Sequence, residues 1–316
     1  MRTLRGVSAP PESSLPPASG LPRAPVPLWR RVLRVLWLVV VLVTLALVLR
    51  RRGSGVLDAL GDVSAWSLAG AALAVTAGVG ASAQVWRGIL GGMGVHLPWR
   101  AGARVFFVGQ LGKYLPGSVW PLVAQMELGR DYGVGRRVSV GALGLFMVVH
   151  LLSAGIVAAI ALPVAGLVAW PWLLAAPPLL ALLLPRPLGS ALRLAFRVLR
   201  RPAPALPGGR ALAVALGWAL CMWALYGLHL WLLARDAGAD LGLLGAVGAF
   251  ALAWAAGFLF VVAPVGAGAR EAVLVGIAAG TGGTGVLLAV ALLSRALSTV
   301  ADALWGVAAL AVRRSS

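Results

Sequence analysis

Gly109-Gln110-Leu111-Gly112-Lys113-Tyr114-Leu115-Pro116-Gly117-Ser118-Val119-Trp120-Pro121 is a polar run, broken by glycine and proline, set between long apolar segments. It carries the sole lysine of the chain, Lys113. In hydrocarbon every backbone N–H and C=O needs a partner. An interrupted helix is therefore tolerated only where protein packs around it or a wet cavity lies beside it. The break marks a site, and a second one follows at Ala263-Pro264-Val265-Gly266-Ala267-Gly268-Ala269-Arg270-Glu271.

The composition around these breaks is that of a membrane protein. Of 316 residues, 60% are hydrophobic and 11% charged, with a mean hydropathy of +0.94, against roughly half apolar and a quarter charged in soluble domains. Apolar runs at about 32 to 49, 66 to 86, 138 to 161, 166 to 184, 211 to 234, 241 to 263 and 284 to 312 approach or exceed the roughly 20 residues that cross a ~30 Å core. The expected class is all-α, a polytopic membrane helical bundle. The net charge of +18 comes from arginines clustered beside these runs, the pattern of the positive-inside bias. With no soluble domain left to carry it, nucleic-acid binding is excluded as a function.

Residues 1 to 29 hold seven prolines with Arg2, Arg5 and Arg23 and read as a disordered cytoplasmic tail. Residues 30 to 316 read as one integral membrane domain. The run at 32 to 49 lacks a signal-peptide cleavage pattern and reads as a retained first helix. Cys221 has no cysteine partner in the chain, which excludes an internal disulfide and a cysteine metal site. The preference for Arg over Lys, with abundant Ala, Gly, Val and Leu, suggests a GC-rich bacterial genome.

Arginines place the loops. With the N-terminus inside, Arg87, Arg100 and Arg104, then Arg130, Arg136 and Arg137, then 186 to 210, and finally Arg313 and Arg314 all fall on the cytoplasmic side. Arg50, Arg51 and Arg52 run against this assignment. The expected location is the cell inner membrane, multi-pass, with both termini cytoplasmic. On this topology the break at 102 to 130 leaves and re-enters the cytoplasmic face, and the one at 245 to 283 does the same from outside. Two re-entrant segments entering from opposite faces fit an inverted-topology repeat, a plan in which broken helices meet near the midplane. A pair of ordinary proline kinks is the other reading. Arg193, Arg197 and Arg200, interleaved with Leu194 and Val198, predict an interfacial amphipathic helix or a solvated connector.

The candidate binding residues cluster at the breaks. Lys113 and Tyr114, beside Pro116 and Gly117, with Glu127 and Arg130 further on, bring cations, an acid and an aromatic ring into one segment. A lysine at membrane depth pairs or faces water. Lys113 thus meets an anionic group such as a lipid phosphate, or it snorkels to the interface or pairs with Glu127. In the second break, Pro264 and Gly266 precede Arg270 and Glu271. A guanidinium fork suits phosphate or carboxylate, while a structural turn with a capping Arg-Glu pair is the competing reading. Arg295, Ser298, Thr299 and Asp302 recur at i, i+3, i+4 and i+7 on one helix face, to border the same cavity or form a structural pair. His150, Ser153, Tyr226 and His229 are weaker candidates. The acids form no Asp-x-Asp, no His-Glu-x-x-His motif occurs and no phosphate loop is present. No catalytic residue, metal or cofactor is assigned, and the chain reads as a non-enzyme.

The segment Gly112-Lys113-Tyr114-Leu115-Pro116-Gly117-Ser118-Val119-Trp120 and the later Pro264-x-Gly-x-Gly-x-Arg270-Glu271 resemble the two signatures of the lysylphosphatidylglycerol synthase transmembrane-region family, the flippase-like domain. Val265 stands where the family commonly has a second glycine. The resemblance implies a stand-alone lipid translocase-like protein without the aminoacyl-transfer domain, acting on an aminoacylated phospholipid or a polyprenyl-phosphate-linked sugar. Its expected partner is a membrane lipid. A glycosyltransferase or other lipid-modifying enzyme served by the chain belongs to the alternative reading, that of a membrane-embedded transferase or accessory subunit. The sequence does not define an oligomeric state.

Overall fold

The computed structural model describes residues 61–114, 120–198, 200–260, 266 and 268–311. The expected tail at 1 to 29, the first helix at 32 to 49, and Pro116, Gly117 and Pro264 lie outside the described residues. Within them the chain is an all-α bundle. Four helices are long and apolar enough to cross a membrane: α1 (Ala65–Gly92), α5 (Arg136–Val164), α8 (Gly209–Asp236) and α11 (Thr284–Ala311).

The bundle is organised on the antiparallel pair α1 and α8. At one end Ser64 caps α1 by accepting the Ser67 N–H at 3.2 Å, and its hydroxyl donates to Asp236 at the end of α8 at 2.6 Å. At the other end a Cβ on Gly92 would fall 2.6 Å from the Ala211 Cβ. Small residues along α1 set this close approach, and Gly78 leaves the room that the Tyr226 ring fills. Two large apolar cores result, beside a small third cluster of Ala158, Leu162 and Ala249. One gathers Trp86, Ile89, Phe106, Phe107 and Phe146, and the other Met222, Trp223, Leu230, Phe250 and Leu287. Tyr226 and Leu297 pack against both.

Each sequence break is a helical hairpin. In the first, α2 (Trp99–Ala103) runs through a π-helical turn, Arg104–Val108, into α3 (Gly109–Leu111) and a 3-10 turn, Gly112–Tyr114. The chain then returns as α4 (Trp120–Arg130). A Cβ on Gly109 would lie 2.6 Å from Gln125 Cγ, and one on Gly112 2.8 Å from the Pro121 nitrogen, so the two arms are in backbone contact near the tip. The second hairpin pairs α9 (Leu243–Leu259) with α10 (Ala269–Ile277). Gly266, at φ +67°, lies so close to Gly257 that a Cβ would fall 2.6 Å from its Cα. Only glycine accepts both that backbone and that proximity.

The first hairpin springs from the end of α1 and the second from the end of α8. Because α1 and α8 are antiparallel, the hairpins enter the bundle from opposite ends. The order helix, hairpin, helix therefore occurs twice in opposite senses, ending in α5 of 29 residues and α11 of 28. This is the arrangement an inverted repeat requires.

One expected element differs. The run at 166 to 184 is not a single membrane-length helix. It folds as a 3-10 segment, Trp170–Ala175, and α6 (Ala176–Leu182), then bends by 68° into α7 (Pro185–Val198). Pro171, Pro177, Pro178 and Pro185 withhold the N–H groups that a continuous helix needs. Helix α7 is strongly one-sided: Leu188, Leu192 and Phe196 face the core, while Arg193, Leu194, Arg197 and Val198 are exposed.

Candidate functional site

Both hairpins dock on α11, and charge holds each of them. From the first, Lys113 Nζ lies 2.6 Å from Asp302 Oδ2, and the Tyr114 hydroxyl donates to the same oxygen at 2.6 Å. From the second, Glu271 Oε1 accepts from Arg295 at 2.7 Å. The other Glu271 oxygen accepts the Gly268 N–H at 2.7 Å, which ties the carboxylate to the first turn of α10, where a negative charge is favourable. Gly268 itself is at φ +86°.

The predicted polar stripe of α11 thus faces the hairpins. Ser298 and Thr299, between the two charged residues, bond back to the carbonyls of Ser294 and Arg295 at 2.8 and 2.9 Å. This satisfies their hydroxyls within the helix. The Phe107 and Trp305 rings stack at 4.5 Å, and Trp305 Nε1 donates to the Thr76 carbonyl at 2.8 Å. These contacts seat the first hairpin and α11 against α1.

Arg270 is placed differently. Its guanidinium lies over the Phe250 ring, 4.5 Å from the centroid, within cation–π range. Among the described residues no carboxylate is within ion-pair distance of it, since the adjacent Glu271 is taken by Arg295. Three cations, Lys113, Arg270 and Arg295, stand against two carboxylates, Glu271 and Asp302, which leaves one positive charge unmatched at the hairpin junction. Arg270, Arg295 and Ser294 line a small cavity of about 10 Å³ with Leu274 and Ala291, room for roughly one water-sized group. The Ser294 hydroxyl also meets His229 Nε2 at 2.8 Å in the buried interior.

The structure therefore brings Lys113, Tyr114, Arg270, Glu271, Arg295 and Asp302 together at α11, with Gly266 in the hairpin beside them. It does not bring Glu127 and Arg130 there. Those two pair with each other at 3.1 Å, both exposed, and Glu127 also reaches Arg136 at 3.5 Å. Lys113 pairs with Asp302 rather than with Glu127. His150 lies in an aromatic cluster, its ring 4.2 Å from Phe146 and 5.5 Å from Trp254. Ser153 accepts from Trp223 Nε1 at 2.9 Å. Phe250 and Ser294 are site residues that sequence reasoning missed. Phe250 carries no mark within its apolar helix, whereas Ser294, one residue before Arg295 and four before Ser298, extends the polar stripe. Among the described residues no three His, Cys, Asp or Glu side chains group as metal ligands.

An all-α membrane bundle in which two opposed hairpins bring charged residues to one helix belongs to the class of polytopic membrane proteins with a partly buried polar site. Residues 32–306 match the family model of the lysylphosphatidylglycerol synthase TM region, and the chain belongs to that family. No curated protein matches its sequence.

Proposed function

We propose that this protein binds an anionic or zwitterionic lipid headgroup at the hairpin junction and moves it between leaflets, with Arg270 as the principal contact for the headgroup phosphate. The carrying observation is the Arg270 guanidinium, backed by Phe250 and without a carboxylate partner among the described residues, in a membrane family whose name concerns lipid. A planar guanidinium donates to two phosphate oxygens side by side. Arg295 and Ser294 stand beside it, and Lys113 offers a second station nearer the first hairpin.

Glu271 and Asp302 are engaged in ion pairs, which favours a positioning role over acid–base work. A headgroup phosphate reaching Lys113 or Arg295 replaces a carboxylate partner with another anion, so the cation is never left bare. Net movement requires that the headgroup bind the inward-facing and outward-facing states differently. By the positive-inside bias the arginine-rich end of the bundle faces the cytoplasm of a bacterial inner membrane.

The test is native mass spectrometry of protein purified from its own membrane, comparing wild type with Arg270→Ala and Lys113→Ala. A distinct phospholipid or polyprenyl phosphate retained by wild type and lost from both variants is the expected result. The same unselective lipid on all three proteins would remove Arg270 and Lys113 from headgroup binding.

A further inference from the structure

A second lipid contact lies away from the hairpins, at the elbow where α6 bends into α7. An apolar cavity of about 160 Å³ opens there, between Val149 of α5, Leu180, Leu183 and Leu184 of the elbow, and Leu212 and Leu216 of α8. Its wall reaches the outer surface, since Leu180, Leu184 and Ala213 are exposed. An open groove with such an apolar lining gains by covering that surface with an apolar guest. The cavity lies at the elbow itself, where α7 turns away from α6 by 68°.

The mouth of the cavity is basic. Pro185 and Gly209 both line it, and a Cβ on Gly209 would lie 3.6 Å from Pro185 Cγ. The next residue after each is an arginine, Arg186 and Arg210, and both are exposed. Among the described residues neither forms an ion pair. The sequence holds no Asp or Glu from 132 to 235, so no nearby acid in that stretch competes for them. Arg193 and Arg197 continue the basic face along α7. An apolar slot open to the outer surface, with an exposed arginine next in sequence to each of two lining residues, suits a phospholipid with an anionic headgroup.

We infer that the elbow binds an anionic phospholipid of the leaflet at the arginine-rich end, with an acyl chain in the cavity and the headgroup phosphate held between Arg186 and Arg210. This lipid is a resident partner, distinct from one that the hairpins handle, and the inference does not rest on translocation. The chain supplies dispersion contact with the leucines, and the two arginines select for negative headgroup charge, as basic residues do at an anionic surface.

The experiment uses the full chain in nanodiscs containing a trace of phosphatidylglycerol with a diazirine in its acyl chain, or phosphatidylcholine carrying the same diazirine. Cross-linked peptides are mapped after irradiation. The expected result is labelling within 179–186 and 209–216, roughly tenfold stronger for phosphatidylglycerol. The preference is lost in Arg186→Gln/Arg210→Gln, and the label itself is lost in Ala213→Phe, which fills the rim from an exposed position. Thermal melting of each variant confirms the fold, so a lost label is not read from unfolded protein. Equal labelling by both lipids, or undiminished labelling in folded Ala213→Phe, overturns the assignment. Absence of lipid label from 179–186 and 209–216 in folded wild type, with label elsewhere on the protein, overturns it as well.

Discussion

Arg295 and Asp302 stand seven residues apart on α11 and clasp different hairpins with charges of opposite sign, Arg295 holding Glu271 at 2.7 Å and Asp302 holding Lys113 at 2.6 Å. Two turns of one helix thus join segments that enter the bundle from opposite ends. The carboxylate is the sheltered half of each pair, Asp302 at 10% and Glu271 at 14% exposed against 33% for Lys113 and 29% for Arg295, so screening is reduced relative to a surface pair but not removed.

Asp302→Asn removes the charge that both Lys113 and Tyr114 engage. Hydrogen bonds to charged groups contribute about 1.5–3 kcal/mol each, so this variant should melt several degrees below Lys113→Met, which breaks only one of the two contacts. Detergent thermal melts decide it. Equal melting temperatures for the two variants would mean that the Tyr114 contact adds nothing.

Glu271→Ala should destabilise the second hairpin twice over, by leaving Arg295 unpaired and by removing the acceptor of the Gly268 N–H. Loss of an N-terminal cap costs about 0.5–2 kcal/mol on its own. The swap Glu271→Arg/Arg295→Glu should regain the ion pair but not the cap, and therefore recover only part of the melting temperature. A swap no better than the worse single variant would show that the pair matters through local geometry, not through charge.

Gly227 faces Val247 so closely that a Cβ would fall 2.5 Å from the Val247 Cα. Because that neighbour is backbone, Gly227→Ala must part α8 from α9, and overpacking of this sort costs typically about 1–3 kcal/mol. Gly217→Ala on the same helix meets nothing within 4 Å and serves as the control. We expect reduced yield of folded protein for the first and wild-type yield for the second, measured by fluorescence-detected size exclusion. Equal yields would mean that α8 and α9 separate freely.

In a Cys221→Ser background, Ser64→Cys and Thr281→Cys should react with an impermeant maleimide from one side of intact cells, and Arg130→Cys only after permeabilisation. Ser64 and Thr281 sit at the ends of α1 and of the second hairpin, where Ser64 meets Asp236 and the Thr281 carbonyl accepts the Asp240 N–H. Arg130 ends the first hairpin at the opposite end. Labelling of all three from outside would refute the assigned direction of the bundle.

The four long helices of the described residues and both breaks were legible because lipid imposes crude rules. Long apolar runs must be helices, and proline with glycine inside such a run must be packed or wet. The stripe from Arg295 to Asp302 was legible through helical spacing alone. The pairings were not, since spacing places residues on a face without saying which hairpin meets it, and Lys113 had Glu127 nearer in sequence than Asp302. The fate of 166 to 184 was open to reading too: its three prolines, Pro171, Pro177 and Pro178, were visible, but apolar content outweighed them. Phe250 lay beyond reach, since an aromatic ring beneath a guanidinium looks in sequence like any other core phenylalanine.

The two clasps lie about 10.5 Å apart along a single rigid helix. If α11 tilts about a point between them, its ends swing in opposite directions, as the arms of a seesaw do. The hairpin released at one end is then matched by a hairpin pressed home at the other, so the two clasps are coupled through one helix and do not loosen together.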